Sequence, residues 1–288
     1  MNARRSAGKL ATWILGPTFS RHYLRALRVR GRKAAYDAKS AWTLRYEAAI
    51  AEGEFDDATT LARGANRHIV RYHYNAVENA ILEHALRRGL PRHPAVLDVG
   101  SGAGHWIDFY RDAFGATDVV GVEISASAAG ALAAAYEAVP EVSIIEADVA
   151  AEDFDLGRRF DVVNAVGVLF HVVDDGLWRR AVRNLAAHLA PGGHLVVAEH
   201  VGLFAHDADF RWVEPPAGDP AGPAAPAALV TKRIRTARQW RSCARQAGLE
   251  VVRTARIRKS RALRTPANRL LVFGPASPRR VRRRPRPG

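Results

Sequence analysis

Polar side chains suited to a nucleoside recur through the middle of the chain, each closing a short apolar run. Asp98 sits in AVLDV, Glu123 ends DVVGVE, Asp148 follows the run Glu141–Ile145, Asn164 lies in FDVVNAV, and Glu199-His200 follow HLVVA. Beyond Asp98, glycines stand at alternate positions, Gly100, Gly102 and Gly104. Trp106, Ile107, Phe109 and Tyr110 then come at near-helical spacing. This reads as a buried strand, a tight glycine turn and a helix start. Glycines there let the backbone take unusual dihedrals and lie against a ligand. The helix N-terminus turns free N–H groups toward it. A carboxylate offers two acceptor oxygens, so Glu123 can take both hydroxyls of a ribose, and Asp148 can accept from an adenine amino group. An adenosine-containing cofactor accounts for these positions together. A dinucleotide is disfavoured, because G-S-G-A-G is followed by His105 and bulky Trp106 where a pyrophosphate site wants another glycine.

The elements that position these residues alternate between strand and helix. Strands are predicted at Ala95–Val99, Asp118–Val122, Glu141–Ile145, Phe160–Val166 and His194–Ala198, with helices after Gly104, at Ala126–Ala138 behind a Ser125 cap, and at Asp174–Leu189. Pro191-Gly192-Gly193 reads as the stop of that last helix. A helix at Thr236–Ala247 and antiparallel edge strands at Leu249–Ile257 and Leu270–Phe273 bring the strands to seven. The fold class is therefore α/β, a doubly wound, seven-stranded, mostly parallel sheet. Residues 33–92 read as N-terminal helices. One face carries Tyr36, Trp42, Tyr46 and Ile50; a second pattern runs through Leu61, Ile69, Tyr72, Ala76, Ile81, Leu82 and Leu86. The polar and aromatic cluster His68, Tyr72, His73, Tyr74 and Asn75 is either ordinary packing or a helix covering the ligand. Residues 201–231 break the alternation, with Leu203–Val213 expected as a lid and Pro215–Ala228 as a tether. A basic arm (1–32), a main domain (93–274) and a basic tail (275–288) complete the expected organisation.

The ordered elements LDVGSGAGHW, GVEIS, EADV, FDVV and LAPGGHLVVAE resemble the class I S-adenosylmethionine-dependent methyltransferases, above all those acting on small molecules such as quinone precursors and natural products. The resemblance covers Ala95–Glu199 well and Trp240–Phe273 loosely. It implies that Gly100, Ser101, Gly102 and Gly104 pass the methionine part of S-adenosyl-L-methionine, and that Asp98 supports that loop near the cofactor's amino group. It implies that Glu123 binds the ribose, that Ile124 packs on the adenine, that Asp148 and Val149 hold the adenine's polar edge, and that Asn164 lies near the transferable methyl. The reaction is then an in-line displacement, in which the enzyme aligns the nucleophile and excludes water. A base is needed only where the acceptor must lose a proton. His171, in VLFHVVDD, and His200 are the catalytic candidates, and relatives' histidines like His171 often line the loop without acting as base. His73, Tyr74, Phe204 and Trp212 are the candidate acceptor contacts. No metal-ligand cluster stands out.

Charge is unevenly placed. The chain carries 43 Lys/Arg against 29 Asp/Glu, a net +14. Nine of the basic residues lie in Met1–Tyr36 and six in Arg279–Gly288, both free of acids. Lys232–Arg269 holds 13 basic residues and only Glu250. This stretch points to an anionic small-molecule acceptor. The basic ends open two rival readings: an RNA or protein methyltransferase gripping phosphates, or a non-catalytic cofactor-binding module. The N-terminal arm could also touch a membrane surface peripherally. The single Cys243 excludes a disulfide framework within the chain and suits a reducing cytoplasm; no apolar run is long enough to span a bilayer. Deleting Arg279–Gly288 is expected to leave cofactor affinity unchanged in calorimetry, and a large loss would make the tail part of the fold.

Overall fold

The computed structural model describes residues 33–34, 36–57, 67–213, 227–257 and 268–276. The basic arm 1–32, Leu61, most of the Pro/Ala/Gly run and the tail beyond 276 lie outside the described residues. In chain order the elements are β1 (Lys33–Ala34), α1 (Ala38–Ala51), α2 (Arg67–Arg88), β2 (Ala95–Val99), α3 (His105–Phe114), β3 (Asp118–Glu123), α4 (Ala126–Ala135), β4 (Val142–Glu146) and β5 (Phe160–Val166). There follow a 3-10 turn (Leu169–His171), α5 (Asp175–Ala187), β6 (Leu189–Gly202), β7 (His206–Val213), β8 (Ala227–Thr236), α6 (Ala237–Gln246), β9 (Leu249–Arg256) and β10 (Asn268–Pro275).

The central sheet runs β4-β3-β2-β5-β6-β10-β9. Its first five strands are parallel, and β10 is antiparallel to both β6 and β9. This is the expected doubly wound, mostly parallel sheet. The chain reverses its winding between β2 and β5, so the glycine turn after β2 stands at the switch point where such sheets bind ligands. Successive residues of the apolar strands serve opposite faces. Val96, Val162, Val196 and Val272 pack against α2, α3 and α4. Leu97, Val163, Leu195, Val197 and Leu271 pack against α5 and α6, where Trp178 meets Trp240 edge-on at 4.9 Å. Helix starts follow local chemistry: the Asp37, Ser125 and Asp174 side chains accept first-turn N–H groups, and Thr236 forms a reciprocal capping box with Gln239.

Several expectations are corrected. The buried face of α2 is Val70, Tyr74, Val77, Ile81 and His84, at spacings of four and three residues. Tyr72 and Leu86, expected on that face, are 43% and 87% exposed. On α1, Tyr46 is buried but Ile50 is exposed. Pro191-Gly192-Gly193 does not precede a strand but lies within β6, which runs on past Glu199-His200 to Gly202.

Residues 203–213 are not an irregular lid. His206–Val213 forms β7, a hairpin partner of β8 in register from His206↔Ile234 to Val213↔Ala227. The Pro/Ala/Gly-rich composition before Ala227 hides β8, whose Val230, Thr231 and Ile234 have the β-branched shape that suits a strand. Directly opposite charges help set the register, with Arg233 3.0 Å from Asp207. β1 joins β8 in parallel, and β8 meets the end of β6 at Val201 and Gly202.

Arg235 of β8 is 1% exposed. Its guanidinium donates to the carbonyls of Leu169 and Val172, pairs with Asp175 at 2.9 Å and lies 4.3 Å from the Trp178 ring centre. It therefore pins the segment between β5 and α5 to the hairpin. Arg235→Ala is expected to cost about 3 kcal/mol, the low end for breaking a buried pair because Asp175 keeps some solvent. Denaturant unfolding measures this, and a change below about 1 kcal/mol would remove the pinning role.

Candidate active site

The turn after β2 is built from backbone. Gly100 N–H donates to the Val122 carbonyl at 2.7 Å, and Gly104 N–H donates to the Ser101 carbonyl at 2.8 Å. Gly100, Gly102 and Gly104 all take positive φ, of 66°, 53° and 90°. At two of these positions there is also no room for a side chain. A Cβ on Gly100 would meet Val168 Cγ2 at 2.6 Å, and one on Gly104 would meet the Tyr136 hydroxyl at 2.6 Å. Gly104 then caps α3 with its backbone alone.

Glu123 closes this turn from the neighbouring strand. Its carboxylate is buried and accepts N–H groups from Gly102 at 3.0 Å, Ile124 at 2.9 Å and Ser125 at 3.3 Å. Burial raises its pKa, and the three backbone donors oppose that rise. Each carboxylate oxygen has two acceptor sites, so Glu123 retains capacity for a ligand hydroxyl. Asp148 is exposed and uses one oxygen to accept Ala150 N–H at 2.8 Å. Lys39 of α1 reaches Glu146 at 2.7 Å and holds α1 against this end of the site.

Asp98 is fully buried behind the turn. Asn164 donates to its Oδ1 at 2.8 Å, and the Tyr110 hydroxyl donates to Asn164 at 3.3 Å. Asp98 Oδ2 is buried without a hydrogen-bond partner. Burial pushes the Asp98 pKa to about 7 against the lowering effect of Asn164 and Ser101.

One cavity collects most of the expected residues. It encloses about 1010 Å³ of space between protein atoms, part of it open to solvent. Gly100, Ser101, Gly102, Glu123, Ile124, Asp148, Val149, His73, Tyr74 and His171 all line it. Asp98, Gly104 and Asn164 do not, and they support the turn from behind. Asn164, expected beside a transferable methyl, is instead taken up by Asp98 and Tyr110. His200 is also absent from the lining, and Phe204 is 57% exposed on the turn after β6. The side chain of Trp212 lies outside the described residues; its backbone pairs with Ala228.

Two further wall residues, Trp42 and Tyr46, come from α1. Their four-residue spacing is visible in the sequence, but that signal reads equally as packing. Glu199 sits beneath the 3-10 turn, where it accepts Phe170 N–H at 2.8 Å, and burial raises its pKa to about 8.

His171 is held on three sides. Trp42 meets it edge-on at 4.9 Å, Phe170 packs at 4.4 Å, and its Nδ1 lies 2.9 Å from the Thr231 carbonyl. A carbonyl only accepts, so Nδ1 carries the hydrogen and Nε2 is the basic nitrogen. His105, first residue of α3, has carboxylates on both nitrogens, Asp57 at 2.9 Å and Glu78 at 2.8 Å.

Among the described residues no Lys or Arg lines the cavity. In the basic stretch, Arg233, Arg235 and Arg253 pair with Asp207, Asp175 and Glu83, and Lys232 lies over the Phe170 ring.

A family profile described as "Methyltransferase domain" matches residues 69–254. A dTDP-4-amino-2,3,4,6-tetradeoxy-D-glucose N,N-dimethyltransferase of Saccharopolyspora spinosa is 36% identical over 42% of this chain and 47% of its own length. A ubiquinone biosynthesis O-methyltransferase of Nitrobacter winogradskyi is 32% identical over 41% of this chain and 46% of its own. The chain thus spans about half the length of the curated relatives it matches. The solved magnesium protoporphyrin IX methyltransferase of Synechocystis PCC 6803 shares the fold, with a TM-score of 0.55 at 17% identity over 85% of this chain and 100% of that one.

Gly100→Ala is expected to lower unfolding free energy by at least about 1–2 kcal/mol, because its left-handed φ penalises any Cβ and Val168 blocks the space. Equal denaturant midpoints for the variant and the wild type would contradict this.

Proposed function

The chain belongs to the methyltransferase-domain family, and from that premise we propose that it transfers a methyl group from S-adenosyl-L-methionine to an oxygen or nitrogen atom of a small metabolite. The observation that carries the reading is the pairing of the glycine turn with the buried Glu123 carboxylate across the switch point. The turn fits such a cofactor: its positive-φ glycines leave backbone, not side chains, facing the cavity, and the orphaned Asp98 Oδ2 lies just behind it. When bound, the cofactor supplies an electrophilic methyl on a sulfonium sulfur.

The chain's own residues do the rest. Glu123 accepts a ribose hydroxyl, Asp148 accepts from the adenine amino group, and Ile124 and Val149 flank the base. Gly100–Gly102 carry the amino-acid end. Trp42, Tyr46, Tyr74 and Trp106 make an aromatic wall that excludes water and favours cationic groups. His171 serves as the base where the acceptor must lose a proton, since it lines the cavity with its ring oriented by the Thr231 carbonyl.

The acceptor follows from the wall. An anionic acceptor rested on Lys232–Arg269, but Arg233, Arg235 and Arg253 of that stretch are held by carboxylates and the described lining has no basic side chain except histidine. An amine-bearing or uncharged acceptor fits better. The Saccharopolyspora relative, named as an N,N-dimethyltransferase of an amino sugar, supports nitrogen.

Calorimetry with S-adenosylmethionine, with NAD as control, tests the reading. Wild-type protein should bind only the former, and Glu123→Ala should weaken it by about 1–3 kcal/mol through loss of charged hydrogen bonds. A labelled-methyl screen over amines, carboxylates and RNA then identifies the acceptor. Failure to bind S-adenosylmethionine would overturn the proposal, and strongly salt-dependent methylation of RNA would replace the acceptor class.

A further inference from the structure

His105 has a position that cofactor binding alone does not account for. Its ring lines the cavity at the glycine turn and also lines the adjoining groove between α2 and α3. Two other parts of the chain meet on it. Asp57, in the segment after α1, lies 2.9 Å from Nδ1, and Glu78 of α2 lies 2.8 Å from Nε2. Tyr74 of α2 stacks on the ring with centroids 3.6 Å apart and planes at 27°. Ionised carboxylates only accept, so both ring nitrogens carry hydrogen and the ring is an imidazolium. A cation in the first turn of a helix is opposed by the helix dipole. The two carboxylates offset that cost.

The same α1 and α2 supply Trp42, Tyr46, His73 and Tyr74 to the cavity wall. We propose that His105 is a positioning residue, whose two carboxylate partners and stacked ring fasten α2 and the segment after α1 to the glycine turn and so close the aromatic wall over the cofactor. The inference rests on the reading of this cavity as the S-adenosylmethionine site.

The charged surroundings set its pH range. Asp56 and Asp57 face the groove from the segment after α1, Arg67, Arg71 and Glu78 from α2, and Asp108 and Asp112 from α3 itself. Buried Asp98 lies within reach of its field. Burial opposes the charge on His105, but the bonds to Asp57 and Glu78 outweigh it and raise the pKa from 6.5 to about 9. With a raised folded-state pKa, the latch contributes in full below 6.5 and is lost as pH rises through about 9.

The test uses the full chain, with S-adenosylhomocysteine as the calorimetric probe and backbone hydrogen exchange as the second readout. His105→Phe keeps the stack and loses both pairs; Glu78→Gln keeps a hydrogen bond and loses one charge. At about pH 7, His105→Phe is expected to bind about tenfold more weakly and Glu78→Gln by an intermediate factor, the scale of lost charge-assisted bonds. Wild-type affinity should fall by a similar factor as pH passes about 9, while that of His105→Phe stays flat over the same range. Exchange should quicken across 38–57 and 67–80 in the variants, and not in α5 or α6. Wild-type affinity, pH profile and exchange in His105→Phe would overturn the latch. Should that variant fail to fold, Glu78→Gln decides by the same criteria. A wild type that binds no S-adenosylhomocysteine would overturn the cofactor reading instead, and unchanged exchange in the ligand-free variants would still overturn the latch.

Discussion

A carboxylate can be buried only where donors meet it, and the Glu123 carboxylate is met by the turn it organises. Gly102, Ile124 and Ser125 present N–H groups to it from two strand ends. That arrangement needs β2 and β3 adjacent and parallel, with the turn folded back on itself in left-handed glycine conformations. The cavity floor, the start of α3 and the approach of Val168 all depend on it. Asp98 and Glu199 are buried with fewer donors in view, the first meeting an amide from Asn164 at one oxygen only and the second a backbone N–H from Phe170. Asp98, Glu123 and Glu199 are thus buried acids that each take at least one hydrogen bond from another element, which makes this edge of the sheet mutually dependent.

The central sheet was legible because its strands announce themselves as short β-branched runs closed by a polar residue or by glycine. Phe160–Val166 has the expected bounds, and Glu123 and the glycine turn stand where alternation of strand and helix puts them. Less legible was anything whose meaning depends on the partner surface. On α2 both a Tyr72-centred and a Tyr74-centred face are plausible from spacing, and only the position of the sheet chooses the second. Asn164 and Asp98 look alike as strand-end polar residues, yet the hydrogen bond between them turns Asn164 away from ligand duty. The hairpin of β7 and β8 was hidden because its pairing is between segments separated by residues whose composition signals a loop.

The basic stretch Lys232–Arg269 carries a related lesson about charge. Net charge says how many cations a segment holds but not which of them already have partners. Arg235 is buried and Arg233 faces two carboxylates, so the local excess seen in sequence contributes to folding before it contributes to recognition. Arg235, one cation of that excess, fixes the segment bearing His171.

β6 belongs to two sheets, pairing with β5 and β10 through its middle and with β8 at Val201 and Gly202. Side chains alternate faces along a strand, so the two sheets share one phase. A single residue inserted between His200 and Val201 would leave the central sheet in register and invert the hairpin, exchanging the residues it turns toward the His171 segment with those on its far side.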